Sequence, residues 1–253
     1  MTLKKNKQQV IILAGGLSSR MGNLTKNKHK TMLKVGGYPI LAHLYTQLRI
    51  NNILEIFIST GFKSDVISRY CKNKIKKDSD KILRLIKKNN RYDYPQIYIS
   101  KLRSNSSTTE RVLKIKKKLN EIFFLIYADT LLKPKILNLL KLFNNKKTEI
   151  VMTISKPTPR FGTVKVKKDK LINFSEKNFN NEQWINSGWF LISKKILNRF
   201  KRKKSNFESY VFNKLKTFSA YTVKNYGFYL PIDQANDLKK ANFSWKNNKT
   251  LWF

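Results

Sequence analysis

Acidic residues are scarce in this chain: 15 Asp and Glu face 53 Lys and Arg among 253 residues, a formal net charge of +38. A surface so short of negative charge draws polyanions, whether nucleic acid, an anionic membrane or a small phosphorylated substrate. There is one cysteine, Cys71, which excludes an internal disulfide and any Cys-based metal site. Long hydrophobic runs are missing too. The short apolar run Val10 to Ala14 gives way at once to Gly15-Gly16, too early for a signal-peptide core, and nothing later has the length of a membrane span. The expectation is a cytoplasmic protein without a membrane partner. No internal repeat and no Pro/Gly/Ser-rich linker breaks the sequence, so a single domain over 1–253 is expected.

What is abundant is Lys and Asn, with Ile, Phe and Tyr, in runs such as Lys74-Ile75-Lys76-Lys77 and Lys201-Arg202-Lys203-Lys204. These amino acids share AT-rich codons, and base composition is enough to supply such an excess. The basic residues are also spread over the whole chain, where a dedicated nucleic-acid module gathers them in a patch, stripe or tail. Charge alone is therefore a weak pointer to function, and nucleic acid is disfavoured as a partner.

Hydrophobic patterning gives the fold class. Val10 to Leu13, Leu54 to Ser59 and Ile122 to Tyr127 are short apolar runs rich in β-branched and aromatic residues, as in buried parallel strands. Between them, Pro39 to Ile50, Lys63 to Ile75 and Thr108 to Leu119 carry apolar residues at helical spacing, while Gln96 to Ser100 alternates like a strand. The Lys-rich stretch from Lys76 to Asn90 is ambiguous. After Glu149 the texture turns β-rich: Ile150 to Ile154, Gly162 to Val166, Leu171 to Phe174 and Trp184 to Ile192. The expected fold is α/β, a mostly parallel sheet flanked by helices, whose second half extends the sheet and builds a lid over one side. The tail after Asp237 is expected to form a helix and a short aromatic end.

In open α/β sheets ligands bind beyond the carboxyl ends of the strands. Two chemical candidates fall there. One is the loop after Leu13, where Ala14, Gly15 and Gly16 let backbone N–H groups approach a phosphate or base, with the forked donor Arg20 close behind. The other is Asp129, just past a buried strand. The Gly15-Gly16 loop lacks the ending of a Walker loop and the third glycine of a dinucleotide fingerprint. His29 and His43 lack the partners expected of a metal site.

The segment LAGGLSSRMGNLTKNKHKTMLKVGGYPIL, Leu13 to Leu41, resembles at matching spacing the signature of the sugar-phosphate nucleotidyltransferases, LAGGxG(S/T)RLxPLTxxxPKxMLxVGGxPIL. Further segments follow in the same order: Phe124 to Thr130 resembles the strand ending in Gly-Asp, Arg160-Phe161-Gly162 and Phe174-Ser175-Glu176-Lys177 resemble RFG and F-x-EK, Trp184 to Phe190 resembles INGGFF, and Gly227 to Asp233 resembles GFWxPMDT. The resemblance spans nearly the whole chain, with a Rossmann-like, nucleotide-diphospho-sugar transferase type of fold. Its nucleotide-binding half is about 8–148; the sugar-binding half and tail are about 149–253.

The resemblance implies a reaction of a nucleoside triphosphate with a sugar 1-phosphate that releases pyrophosphate, and leaves a homo-oligomer open. It implies that Leu13, Ala14, Gly15, Gly16, Arg20, Lys30 and Arg111 bind the nucleotide, and that Arg20 and Lys30 stabilise the leaving pyrophosphate. Glu176, Lys177, Asn186 and Gly188 take the sugar phosphate, Lys177 orienting the attacking group, and Asp129 and Asp233 hold Mg2+. Trp-Ile-Asn before the sugar strand, the Gly-Phe-aromatic-x-Pro-x-Asp ending and the tail Trp245 to Trp252 resemble the glucose-1-phosphate cytidylyltransferase branch. Other bases or sugars stay open, as does a non-catalytic relative that binds polyanions. Several positions depart from the pattern: Ser18, Ala128 and Ser187 stand where glycines are usual, His29 where a proline is, and Glu110 puts an acid near the presumed base site, unfavourable beside a triphosphate unless it turns away.

Overall fold

The computed structural model describes residues 8–16, 19–89, 91–144, 147–157, 163–167, 170–175, 183–200, 206–213 and 217–253. In chain order the elements are β1 (Gln9–Ala14), β2 (Lys34–Val35), β3 (Tyr38–Pro39), α1 (Ile40–Ile50), β4 (Glu55–Thr60), α2 (Ser64–Asn73), α3 (Ile75–Leu85), β5 (Gln96–Lys101), α4 (Thr108–Ile115), β6 (Ile122–Tyr127), β7 (Thr130–Leu132) and α5 (Ile136–Asn144). The second half adds β8 (Ile150–Ser155), β9 (Thr163–Lys167), β10 (Lys170–Ser175), β11 (Ile185–Ser193), α6 (Phe207–Phe212), β12 (Ala220–Asn225), β13 (Tyr229–Pro231) and α7 (Ala235–Asn247).

Seven strands form one sheet in the order β12-β8-β11-β6-β1-β4-β5. The pairs β6/β1, β1/β4, β4/β5 and β12/β8 are parallel; β11 runs antiparallel to both of its neighbours. The mostly parallel mixed sheet expected from the sequence is the one found. Its central strands are apolar without a break because both faces are covered. In β1, Val10, Ile12 and Ala14 enter one core and Ile11 the other; in β6, Phe124 and Ile126 share the first core while Phe123 and Leu125 enter the second. The first core is shared with α1, α3, α5 and α7, the second with α4 and α6.

The ambiguous stretch 76–90 is largely helix. Ile75, Ile82, Leu83 and Ile86 are fully buried against the first core, while Lys76, Lys77 and Lys81 face outward. Lysine dominates its composition, but these four apolar positions on one face decide its structure. The aromatic tail packs back on α1: Trp245 and Trp252 ring the buried His43 at centroid distances of 4.8 and 5.6 Å. His43 donates from Nε2 to the Val35 carbonyl at 2.9 Å, so its role is structural. Among the described residues no helix is long and apolar enough to cross a membrane.

Candidate active site

The site lies at the carboxyl ends of β1 and β6. Gly15 follows β1 where the chain passes directly against the Arg111 guanidinium, and a β-carbon there would overlap it. Arg111, on α4, is 3% exposed. It donates to the carbonyls of Thr60 (2.9 Å), Gly15 (3.2 Å), Arg103 (2.9 Å) and Ser104 (3.3 Å). A planar fork that ties three separate backbone segments together fixes the loop after β1 and the loop before α4 in one arrangement. The resemblance assigns Arg111 to the nucleotide; in the fold its donors are turned to backbone carbonyls, and it forms part of a cavity wall.

Lys30, Asp129 and Asp233 meet in this crevice. Lys30 Nζ lies 2.9 Å from Asp129 Oδ2 and 2.7 Å from Asp233 Oδ1. Asp129 sits between β6 and β7. Asp233 comes from the other half of the chain, delivered by the antiparallel pairing of β13 with β7, Pro231 opposite Thr130, and by the Ile232 N–H donating to the Asp129 carbonyl at 2.8 Å. The N-cap of the helix that follows is Gln234. α7 begins after Gln234, and the carboxylate of Asp237 accepts the Asp233 and Gln234 N–H groups at 3.0 and 2.9 Å. Burial on its own would lower the Lys30 titration range. The two carboxylates outweigh it and hold the ammonium above its ordinary titration range.

A cavity of about 220 Å³ opens over this cluster, lined by Ala14, Gly16, Arg20, His29, Lys30, Asp129 and Asp233, with Arg20 exposed to solvent. A second cavity of about 400 Å³ adjoins it, sharing Leu13, Gly16 and Asp129, and is walled by Gly15, the 104–108 loop, Arg111, Tyr127 and Asn206. The first is rich in cationic and carboxylate groups, the second in hydroxyl and amide groups. That division suits phosphates beside a polar organic moiety.

His29, in the place of the usual proline, caps the short 3-10 turn that carries Lys30: its Nδ1 accepts the Thr31 N–H at 3.2 Å. Burial pushes its pKa down to about 4, so the ring is neutral near pH 7. Glu110 turns back on its own helix, closing a capping box with Ser107. Its carboxylate is thereby held at the start of α4. Ser187 also turns inward, donating to the Thr153 carbonyl at 2.8 Å.

On the β11 side, Gly188 has φ of +79° and its N–H donates to Asn186 Oδ1 at 2.8 Å. The pairing of β11 with β8 shifts register between Asn186 and Phe190, a bulge that a positive-φ glycine accommodates without strain. Asn186 Nδ2 donates to Tyr127 Oη at 3.2 Å. Glu176, Lys177, Ser18 and the Arg160-Phe161-Gly162 segment lie outside the described residues. Sequence reasoning passed over Tyr127 and Thr108, both in the wall of the second cavity; their signal was adjacency to Asp129 and to the 104–107 loop.

The Asp–Lys–Asp cluster fits a cation site. Two hard carboxylate ligands already converge on one positive group, the donor set that suits a magnesium ion completing its shell with phosphate oxygens. Among the described residues there is no group of three or more His, Cys, Asp or Glu side chains arranged for a metal.

Fold and site together define an enzyme that transfers nucleotidyl groups. The model of the family described as nucleotidyl transferase matches residues 9–245, and the chain belongs to that family. It is similar to the glucose-1-phosphate cytidylyltransferase of Salmonella typhimurium, 23% identical over 252 residues covering 96% of this chain and 98% of that one. It is also similar to the D-glycero-alpha-D-manno-heptose 1-phosphate guanylyltransferase of Campylobacter jejuni, 28% identical over 214 residues, 84% of this chain and 88% of that one. The crystal structure of HddC from Yersinia pseudotuberculosis superposes with a TM-score of 0.70 at 20% identity over 94% of this chain and 99% of that one, which establishes a shared fold.

Proposed function

We propose that this protein couples CTP to glucose 1-phosphate, releasing pyrophosphate and forming a nucleotide-activated sugar for surface polysaccharide or deoxysugar synthesis. The observation that carries the reading is the convergence of Lys30, Asp129 and Asp233 beneath the loop Leu13 to Gly16. The Salmonella typhimurium relative, which matches nearly end to end, is named glucose-1-phosphate cytidylyltransferase.

The reaction needs an oxygen of the sugar phosphate to attack the α-phosphorus in line with the departing pyrophosphate. It asks the protein for positioning and charge neutralisation and needs no covalent nucleophile. The Gly15-Gly16 backbone leaves room for phosphates to approach. An ammonium has three donors; the aspartates take two from Lys30, which leaves one for a phosphate oxygen, and Arg20 at the mouth adds a second cation for the leaving group. Lys177 orients the attacking phosphate. Asp129 and Asp233 would hold magnesium, which supplies Lewis-acid stabilisation of phosphate oxygens.

Guanylyl transfer is the second reading, favoured by the 28% identity to the heptose 1-phosphate enzyme. Pyrophosphate release with magnesium, crossing CTP, UTP, dTTP and GTP against sugar 1-phosphates, separates the two. CTP-specific turnover of glucose 1-phosphate supports the first reading, GTP-specific turnover replaces it by the second, and silence across the panel refutes both.

A further inference from the structure

In a chain so poor in acid, one carboxylate outside every motif links the two sides of the site. Glu208, on α6, accepts from Tyr127 Oη at 2.6 Å through Oε1 and from Thr108 Oγ1 at 3.0 Å through Oε2. The Thr108 hydroxyl oxygen in turn accepts the Phe207 N–H at 2.7 Å, which anchors the start of α6 to the start of α4. On the other side Tyr127 leads to Asn186, and Asn186 to Gly188.

The direction of every link is fixed by what each group can do. A carboxylate only accepts and a backbone N–H only donates. Gly188 N–H therefore turns Asn186 Oδ1 toward itself, Asn186 offers an N–H to Tyr127 Oη, and Tyr127 spends its own proton on Glu208. A tyrosine hydroxyl 2.6 Å from a carboxylate oxygen can only be the donor of that bond. With Oδ1 accepting from Gly188 and one amide N–H given to Tyr127, Asn186 keeps one amide N–H, which the family resemblance assigns to the sugar phosphate. Tyr127 and Thr108 both wall the second cavity, so Glu208 is keyed to both its edges.

We infer that Glu208 is a positioning residue for specificity: through Tyr127 it fixes Asn186 as a hydrogen-bond donor to a hydroxyl oxygen of the sugar 1-phosphate, and through Thr108 it registers that contact to the nucleotide-side loop. The inference rests on the sugar 1-phosphate reading above. It goes further by naming a group on the substrate, an accepting hydroxyl, and the network that selects it.

The test measures pyrophosphate release with magnesium and the nucleotide that the wild type uses. Wild type, Tyr127→Phe, Glu208→Ala and Glu208→Gln are compared on the preferred sugar 1-phosphate and its monodeoxy analogues, with thermal midpoints recorded for each. In Tyr127→Phe, KM for the sugar phosphate should rise roughly tenfold while KM for the nucleotide stays within about twofold; Glu208→Ala, which also frees Thr108, should show the same rise with a smaller one for the nucleotide. Preference for the parent sugar over one monodeoxy analogue should collapse, and Glu208→Gln, which keeps an acceptor for Tyr127, should recover most of it. If Glu208→Ala does not fold, Tyr127→Phe decides, because it removes a single hydroxyl. Equal loss toward both substrates, or an unchanged ratio of parent to every deoxy sugar, overturns the assignment and leaves the enzyme reading intact. A wild type inactive with every sugar phosphate overturns that reading, and this inference falls with it.

Discussion

Lysine is in opposite circumstances in two regions of this molecule. Outside, Lys117 and Lys118 stand exposed just after α4, beside a half-buried Lys116. In the crevice Lys30 is nearly covered, with side-chain exposure of 10%, and is gripped by two of the chain's 15 acids. The net charge of +38 describes the first population and says nothing of the second. A charge in water is worth little wherever it sits, whereas a charge held in a partly dry cleft by fixed partners is set for phosphate chemistry. Excess charge and functional charge are different quantities, and burial with a partner tells them apart.

The contrast can be broken first at the crevice. Lys30→Met should lower kcat/KM for nucleotidyl transfer by about 10²–10³-fold, the scale of a lost preorganised electrostatic contact, read from steady-state pyrophosphate release. Gly15→Ala comes next. Its methyl group displaces Arg111 from the Gly15, Thr60 and Ser104 carbonyls, so a loss of about 1–3 kcal/mol in urea unfolding is expected, with a higher KM for the nucleotide.

The buried histidines give a third effect. His29 and His43 are both pushed down to about 4 by burial, from an unfolded value of about 6.5. Between those values the unfolded chain binds more protons. Their contribution is complete above the unfolded pKa and is lost as pH falls toward the folded one, by up to about 1.4 kcal/mol per pH unit for each histidine. Urea midpoints should be flat above pH 7 and fall below pH ~6.5; His29→Asn, which keeps a capping acceptor, should flatten part of that slope. The smallest effect belongs to the surface: Lys117→Gln should change stability by no more than about 0.5 kcal/mol and leave kcat/KM unmoved. A large effect there, or a negligible one at Lys30, would erase the distinction.

Much of this was legible beforehand, for identifiable reasons. β1 and β6 announce themselves because strands buried on both faces must be apolar throughout, and Asp129 stands out as a rare acid at a strand end. The pairing of β7 with β13 did not, since each is three residues long and too short for a period to register. Yet that pairing is what delivers Asp233 to Asp129. The helical nature of 75–85 was hidden under lysine, and the turn of Arg111 toward backbone carbonyls is a tertiary fact with no local signature. Glu208 was missed because no spacing marks a carboxylate whose partners come from β6 and α4, although the shortage of acids was itself a reason to inspect each one.

The most direct test of the central claim is magnesium-dependent pyrophosphate release from CTP and glucose 1-phosphate by the wild type, Asp129→Asn and Asp233→Asn side by side. The account predicts turnover by the wild type and a loss of about 10²-fold or more in each variant, the outcome expected of two carboxylates that serve one cation site. Wild-type turnover that survives in either variant would contradict a shared role for the two aspartates.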